Sequence, residues 1–128
     1  MAEAGPESIQ RCVGVDIGGT NIRAGVVDGN GRILGEARRP ALAEKGLRAA
    51  VDRAAEAIAE AIENAGLRPE DIRGIGLGVA GAHRSQEGIC VYSPNFADSR
   101  GVPVLAPIRQ ALEVPAFMLN DVSVATLG

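Results

Sequence analysis

The chain has no tryptophan, one tyrosine and two phenylalanines among its 128 residues. With so few rings, a core must be built from Val, Ile, Leu and Ala. An excess of positive charge is missing too: 13 Lys and Arg stand against 16 Asp and Glu, a formal net charge of −3. A partner held by its phosphates calls for a basic patch, so nucleic acid is not an expected partner. No run of about 18 apolar residues occurs, as a spanning helix requires, and the first ten residues, MAEAGPESIQ, hold two Glu and no apolar stretch of a secretory signal. No membrane partner is expected, the expected location is cytoplasmic, and residues 1–10 read as a flexible tail. Cysteine is limited to Cys12 and Cys90, in apolar stretches without CxxC spacing. They read as small buried hydrophobes rather than as a disulfide or metal pair. The one histidine, His83, lacks cysteine partners and cannot fill a tetrahedral zinc site; beside Arg84 it reads as a solvated surface residue.

Glycine, by contrast, is plentiful. Its 17 residues are roughly twice the average share, and they gather in a few stretches. The length suits one domain with its own core. Val13, Val15 and Ile17 alternate with Cys12, Gly14 and Asp16, and Ile22, Ala24 and Val26 repeat the pattern after Gly18-Gly19-Thr20, which predicts two strands and a tight turn. Asp28-Gly29-Asn30-Gly31 is a hairpin signal leading to a third strand near 32–38. From about Lys45 to Asn64 the period becomes helical: Leu47, Val51, Ala54, Ala55, Ile58, Ile62 and Ala65 form an apolar stripe opposite Arg48, Asp52, Glu56, Glu60 and Glu63. Gly66 stands at the expected stop. Residues 72–80 read as a strand with Gly74, Gly76 and Gly78 on one face, where a backbone or ligand can come close. Beyond it lie a loop (81–88), a short strand (88–92), a second loop (93–103), a helix over 105–112 with Pro107 in its first turn, a strand over 115–119, and a helix opening at Asn120-Asp121. The fold class is α/β with a mixed sheet begun by three antiparallel strands and flanked by helices. Arg38 and Arg39 read as solvated charge.

Two stretches could carry chemistry. A Gly18-Gly19-Thr20 turn is either an ordinary hairpin turn or a cradle whose backbone N–H groups and hydroxyl meet a phosphate. Asp16, beside it, is either an exposed polar residue or a Mg²⁺ ligand, directly or through water. Asn120-Asp121, after a strand, is either a helix cap or a ligand contact at a strand end, with Asp121 placed to accept a hydroxyl proton.

In order, the stretches VGVDIGGTNIRAGVVDGNGRIL, GIGLGVAGAHRSQEGICVYSPNF and VPVLAPIRQALEVPAFMLNDVSVATLG resemble the ROK family of sugar kinases, within the actin and hexokinase-like (ribonuclease H-like) superfamily, over residues 12–128. The resemblance implies that residues 11–128 are the N-terminal lobe of a glucokinase-like enzyme that phosphorylates a hexose hydroxyl with ATP and Mg²⁺. It carries phosphate binding onto Asp16, Gly18, Gly19 and Thr20, and sugar binding onto Gly81, Asn95, Asn120 and Asp121, with Asp121 as the base. Zinc, found in many members, would belong to a second lobe absent from this chain, and a homo-oligomer is expected at full length. The chain departs from the family in Val79-Ala80-Gly81-Ala82, where many members have a Pro-Gly-Pro-like turn, and in Val122-Ser123-Val124, where small Ala or Asn residues are usual. The GVAG stretch is also similar to N-acetylhexosamine kinases and BadF-type ATPases, which leaves such a kinase, or a non-catalytic sugar-sensing ROK protein, as the alternative. ROK repressors carry a helix-turn-helix domain in front, and 15 residues precede Asp16, which is too few for one.

Overall fold

The computed structural model describes residues 10–119; the expected tail and the helix expected at Asn120-Asp121 lie outside them. β1 (Cys12–Ile17), β2 (Asn21–Val27) and β3 (Ile33–Pro40) form an antiparallel meander. The alternation drives it: Val13, Val15, Ile17, Ile22, Ala24 and Val26 are all buried on one face. Asp28 closes the second turn by accepting the N–H groups of Asn30 at 2.9 Å and Arg32 at 3.0 Å. The Arg32 bond is the main reason its carboxyl titrates below the ordinary aspartate value.

The helix α1 (Leu47–Asn64) lies across this sheet. It buries Leu47, Ala50, Val51, Ala54, Ala57, Ile58, Ala61 and Ile62, and a side chain such as Ile58 contributes about 1.5–3 kcal/mol on burial. Its end conforms to the glycine stop: Gly66 and Leu67 donate to the carbonyls of Glu63 at 2.9 Å and Ile62 at 3.1 Å, a paired closure that needs Gly66 at φ 74. The buried face is broader than the expected stripe. Ala57 and Ala61 belong to it, and Ala55 and Ala65 sit at its margin.

β4 (Gly74–Val79) returns parallel to β1 and is buried along its whole length. β5 (Ala82–Arg84), β6 (Ile89–Tyr92) and β7 (Val102–Pro103) make a small separate antiparallel sheet. Both loops expected between 81 and 103 thus contain strand residues. The helix α2 (Leu105–Leu112) packs against α1, and β8 (Ala116–Met118) pairs parallel with β4, completing a five-stranded sheet in the order β3-β2-β1-β4-β8. The expected glycine face of β4 is filled at Gly74 by the Phe117 ring and at Gly76 by the Leu119 side chain. Cys90 is buried and Cys12 half-buried, both as free thiols. Among the described residues no helix is long and apolar enough to cross a membrane.

Arg39 corrects one expectation. It is half-buried, its guanidinium bonded to Glu60 and 3.7 Å from Glu56 on α1. Strand alternation turns it toward the helix, while Arg38 faces outward.

Helix and sheet come very close at Gly35, where a Cβ would stand 2.5 Å from both the Ala61 carbonyl oxygen and the Ala65 nitrogen. Gly35→Ala must push α1 off β3 and lowers stability by about 1–3 kcal/mol, the usual range for overpacking. Gly25→Ala, whose Cβ would meet nothing nearer than 3.9 Å, is neutral or slightly stabilising. Paired urea melts of the two variants check the contrast.

Candidate active site

Three parallel strands end at one edge of the sheet. Ile17 and Val79 are register partners at the last positions of β1 and β4, and Leu77 pairs with Met118 at the end of β8. The Leu119 N–H extends that pairing to the Leu77 carbonyl at 2.8 Å. The segments leaving these strands therefore collect at the same edge: Gly18-Gly19-Thr20, Ala80-Gly81, and the chain leading to Asn120 and Asp121. The carboxyl edge of an open α/β sheet is where ligands bind. Asn120 and Asp121 themselves lie outside the described residues.

The first turn is tight because the Gly18 N–H donates to the Asn21 carbonyl at 3.0 Å. That amide is committed inside the turn. The turn is fixed from its far side as well, since the Thr20 carbonyl accepts the Ala41 N–H at 2.8 Å. Gly19 faces Asn95: a Cβ on Gly19 would lie 3.1 Å from Asn95 Cγ and 3.2 Å from its Oδ1. A turn expected to meet phosphate and a residue expected to meet sugar are thus in direct contact, although 76 positions apart in sequence (95 − 19). Asp16 is exposed on the face of β1 opposite the core, paired in register with Arg23 on one side and Gly78 on the other.

Gly81 occupies φ 119, and a Cβ there would collide with the Tyr92 carbonyl. The backbone of this turn and that of β6 approach too closely for any side chain. His83 holds the same turn. Expected at the solvated surface, it is half-buried instead, with Nε2 2.5 Å from the Val79 carbonyl. The physical reason is strand alternation in β5, which turns His83 inward while Ala82 and Arg84 stay exposed. Nε2 carries the proton it donates, and Nδ1 is buried with no hydrogen-bond partner among the described residues.

Asn95 rides on a loop built from buried groups. Ser93 and Ser99 are both buried; the Ser93 N–H donates to Ser99 Oγ at 2.8 Å, and that hydroxyl donates to the Ser93 carbonyl at 3.3 Å. Phe96 is 1% exposed and anchors the loop in the core. Asp98 Oδ1 accepts the Leu47 N–H at the start of α1 at 3.1 Å. On the other flank, the Arg109 guanidinium grips the Ala116 carbonyl through Nε at 3.1 Å and Nη2 at 2.5 Å, which fixes the entry to β8. Sequence reasoning missed Asp98, Ser93, Ser99 and Arg109. One signal was available for Asp98: Gly46 precedes the helical pattern where a capping side chain is wanted, so an acceptor had to come from elsewhere.

Among the described residues no group of three or more His, Cys, Asp or Glu could hold a metal ion. A single carboxylate such as Asp16 suits Mg²⁺, which keeps most of its water and phosphate ligands.

The profile of the ROK family matches residues 12–128. A glucokinase of Thermotoga maritima is 32% identical over 118 residues, covering 92% of this chain and 36% of that protein. Among solved structures, the ROK hexokinase from Thermus thermophilus superposes with a TM-score of 0.75 at 34% identity, over 88% of this chain and 35% of that one. A ROK family glucokinase from Streptomyces griseus, in complex with glucose and AMPPNP, superposes with a TM-score of 0.74 at 34% identity, over 87% of this chain and 33% of that one. The chain spans about a third of the length of these relatives. The mixed sheet, the common carboxyl edge and a match running through nearly all of its residues agree: the chain belongs to the ROK family.

Proposed function

We propose that residues 11–128 form the N-terminal lobe of an ATP-dependent hexose kinase of the glucokinase type, completed by a second lobe. The observation that carries this reading is the contact of Gly19 with Asn95 at the common carboxyl edge. The relatives support the substrates: one is a glucokinase, and another holds glucose and AMPPNP together. The setting proposed is the cytoplasm, where both substrates are solutes, and the full-length enzyme is proposed to self-associate.

The sugar lies against Gly81 and Asn95, and Asn120 and Asp121, which follow β8 in the sequence, complete its contacts. Asp121 accepts the proton of the attacking hydroxyl; the hydroxyl oxygen bonds to the γ-phosphorus as the bond to the ADP oxygen breaks. With the Gly18 amide committed to Asn21, the turn's donors toward phosphate are the Gly19 N–H and the Thr20 hydroxyl. Asp16 would hold Mg²⁺, directly or through water, and the ion when bound neutralises charge on the phosphate oxygens. Most of the acceleration then comes from positioning and from dipoles set in advance.

Asp121→Asn in the full-length enzyme keeps the side chain's size and removes its basicity, and loses about 10²–10⁴-fold in kcat; normal turnover in a normally stable variant removes Asp121 as the base. Gly19→Ala, which must displace Asn95 by a few tenths of an ångström, raises the KM values of hexose and ATP together, by roughly three- to tenfold each. A change confined to ATP would detach the turn from the sugar site. The 128-residue chain by itself releases no measurable sugar-dependent ADP, because one wall of a cleft cannot hold two substrates in line away from water. Robust hexose-dependent ADP release from that chain contradicts the two-lobe reading.

A further inference from the structure

We infer that Asp98 is a positioning residue for sugar recognition: by capping α1 it holds the 93–99 loop so that Asn95 lies over Gly19. The inference rests on the kinase reading above and concerns a residue that touches neither substrate.

The starting point is a helix without its own cap. The first four N–H groups of an α-helix have no partner within it, and a Ser, Thr, Asn or Asp normally precedes them. At α1 that position is Gly46, which has no side chain, and the first turn contains no acidic residue. Asp98, 51 residues beyond Leu47, supplies what is missing by accepting the Leu47 N–H at 3.1 Å. Its negative charge also faces the positive end of the helix. Gly46 makes the approach possible, since its backbone sits at φ 94 and a Cβ there would collide with Asp98 Oδ2. An L-residue at 46 would be both strained and in the way of the carboxylate.

The other end of this contact is the loop that carries Asn95. The Asn95 N–H reaches Ser93 Oγ at 3.4 Å. The location of Asn95 over Gly19 depends on what holds the loop on either side. The Ser93–Ser99 bonds close the loop on itself and the Phe96 ring anchors its middle. Phe96 ties it to α1 through the core that α1 shares, and Asp98 adds a hydrogen bond to the backbone at the start of α1, which is packed on the same β1 and β2 that carry the Gly18–Thr20 turn. The chain of support runs from the sheet to α1, from Leu47 to Asp98, and from Asp98 back three residues to Asn95. Loss of the Asp98 acceptor frees one end of the loop, so that the binding-competent position of Asn95 is populated only part of the time. Apparent affinity for the group that Asn95 contacts falls by that fraction.

The test is steady-state kinetics on the full-length protein, with hexose and ATP varied separately. Asp98→Ala raises the hexose KM by about tenfold, with much smaller changes in kcat and in the ATP KM. Asp98→Asn keeps an acceptor for the Leu47 N–H and restores most of the hexose KM, which a merely structural loss would not do. Thermal melts of both variants establish that they are folded. An unchanged hexose KM in folded Asp98→Ala overturns the inference and leaves the kinase reading intact. A fall in kcat with both KM values raised together, not rescued by Asp98→Asn, also overturns it by marking Asp98 as a structural residue only. A wild-type protein that phosphorylates no hexose overturns the kinase reading and this inference with it.

Discussion

The parallel pairing of β1 with β4 is the constraint on which the candidate site depends. Ile17 and Val79 are register partners, so both strands run out together and release Gly18 and Ala80 at one edge. An antiparallel β4 would have put Gly81 at the far end of the sheet. Parallel neighbours cannot be joined by a tight turn and require a long crossover. Here the crossover comprises β2, β3 and α1, and it covers one face of the sheet that it creates. β4 is consequently central and buried throughout, as a parallel strand should be.

The shortage of aromatic rings shapes the packing. Alanines let α1 lie close, to the point that β3 touches its backbone at Gly35. Such contacts gain many small dispersion terms in place of a few large ones, and they tolerate little change in volume. Of the three aromatic residues, Tyr92 and Phe117 are half-exposed and Phe96 alone is buried. That ring anchors the loop bearing Asn95. A chain with few rings has buried one of them next in sequence to a candidate sugar contact.

Much of the fold was legible because it is written in local signals. Alternation located the meander, the Gly66 stop located the end of α1, and α2 falls on the expected residues 105–112 with Pro107 in its first turn. What escaped depends on partners distant in sequence. His83 stands among polar neighbours, and only its pairing in the β5–β6 hairpin turns it inward. Arg39 reads as surface charge until β3 is laid against Glu56 and Glu60. Ala57 and Ala61 fall outside the expected stripe because β3 closes on that side of α1, with Gly35 against the Ala61 backbone. In the candidate site, Asp16 and Gly19 could be marked from glycine spacing and a strand end, whereas Gly81 and Asn95 came only from the family resemblance. The contact between Gly19 and Asn95 could not be marked, since it requires the β5–β7 sheet to fold back over the carboxyl edge.

The bond between Asp98 and the Leu47 amide has a thermodynamic corollary. A helix whose cap is borrowed from a distant loop shares one equilibrium with that loop, and coupling free energy between two sites is reciprocal. Whatever orders residues 93–99 must lower the fraying of the first turn of α1 by the same amount, and whatever loosens that turn must weaken the hold on the loop. The amino end of α1 is thus a remote gauge of loop order, readable by amide exchange at positions that touch no ligand.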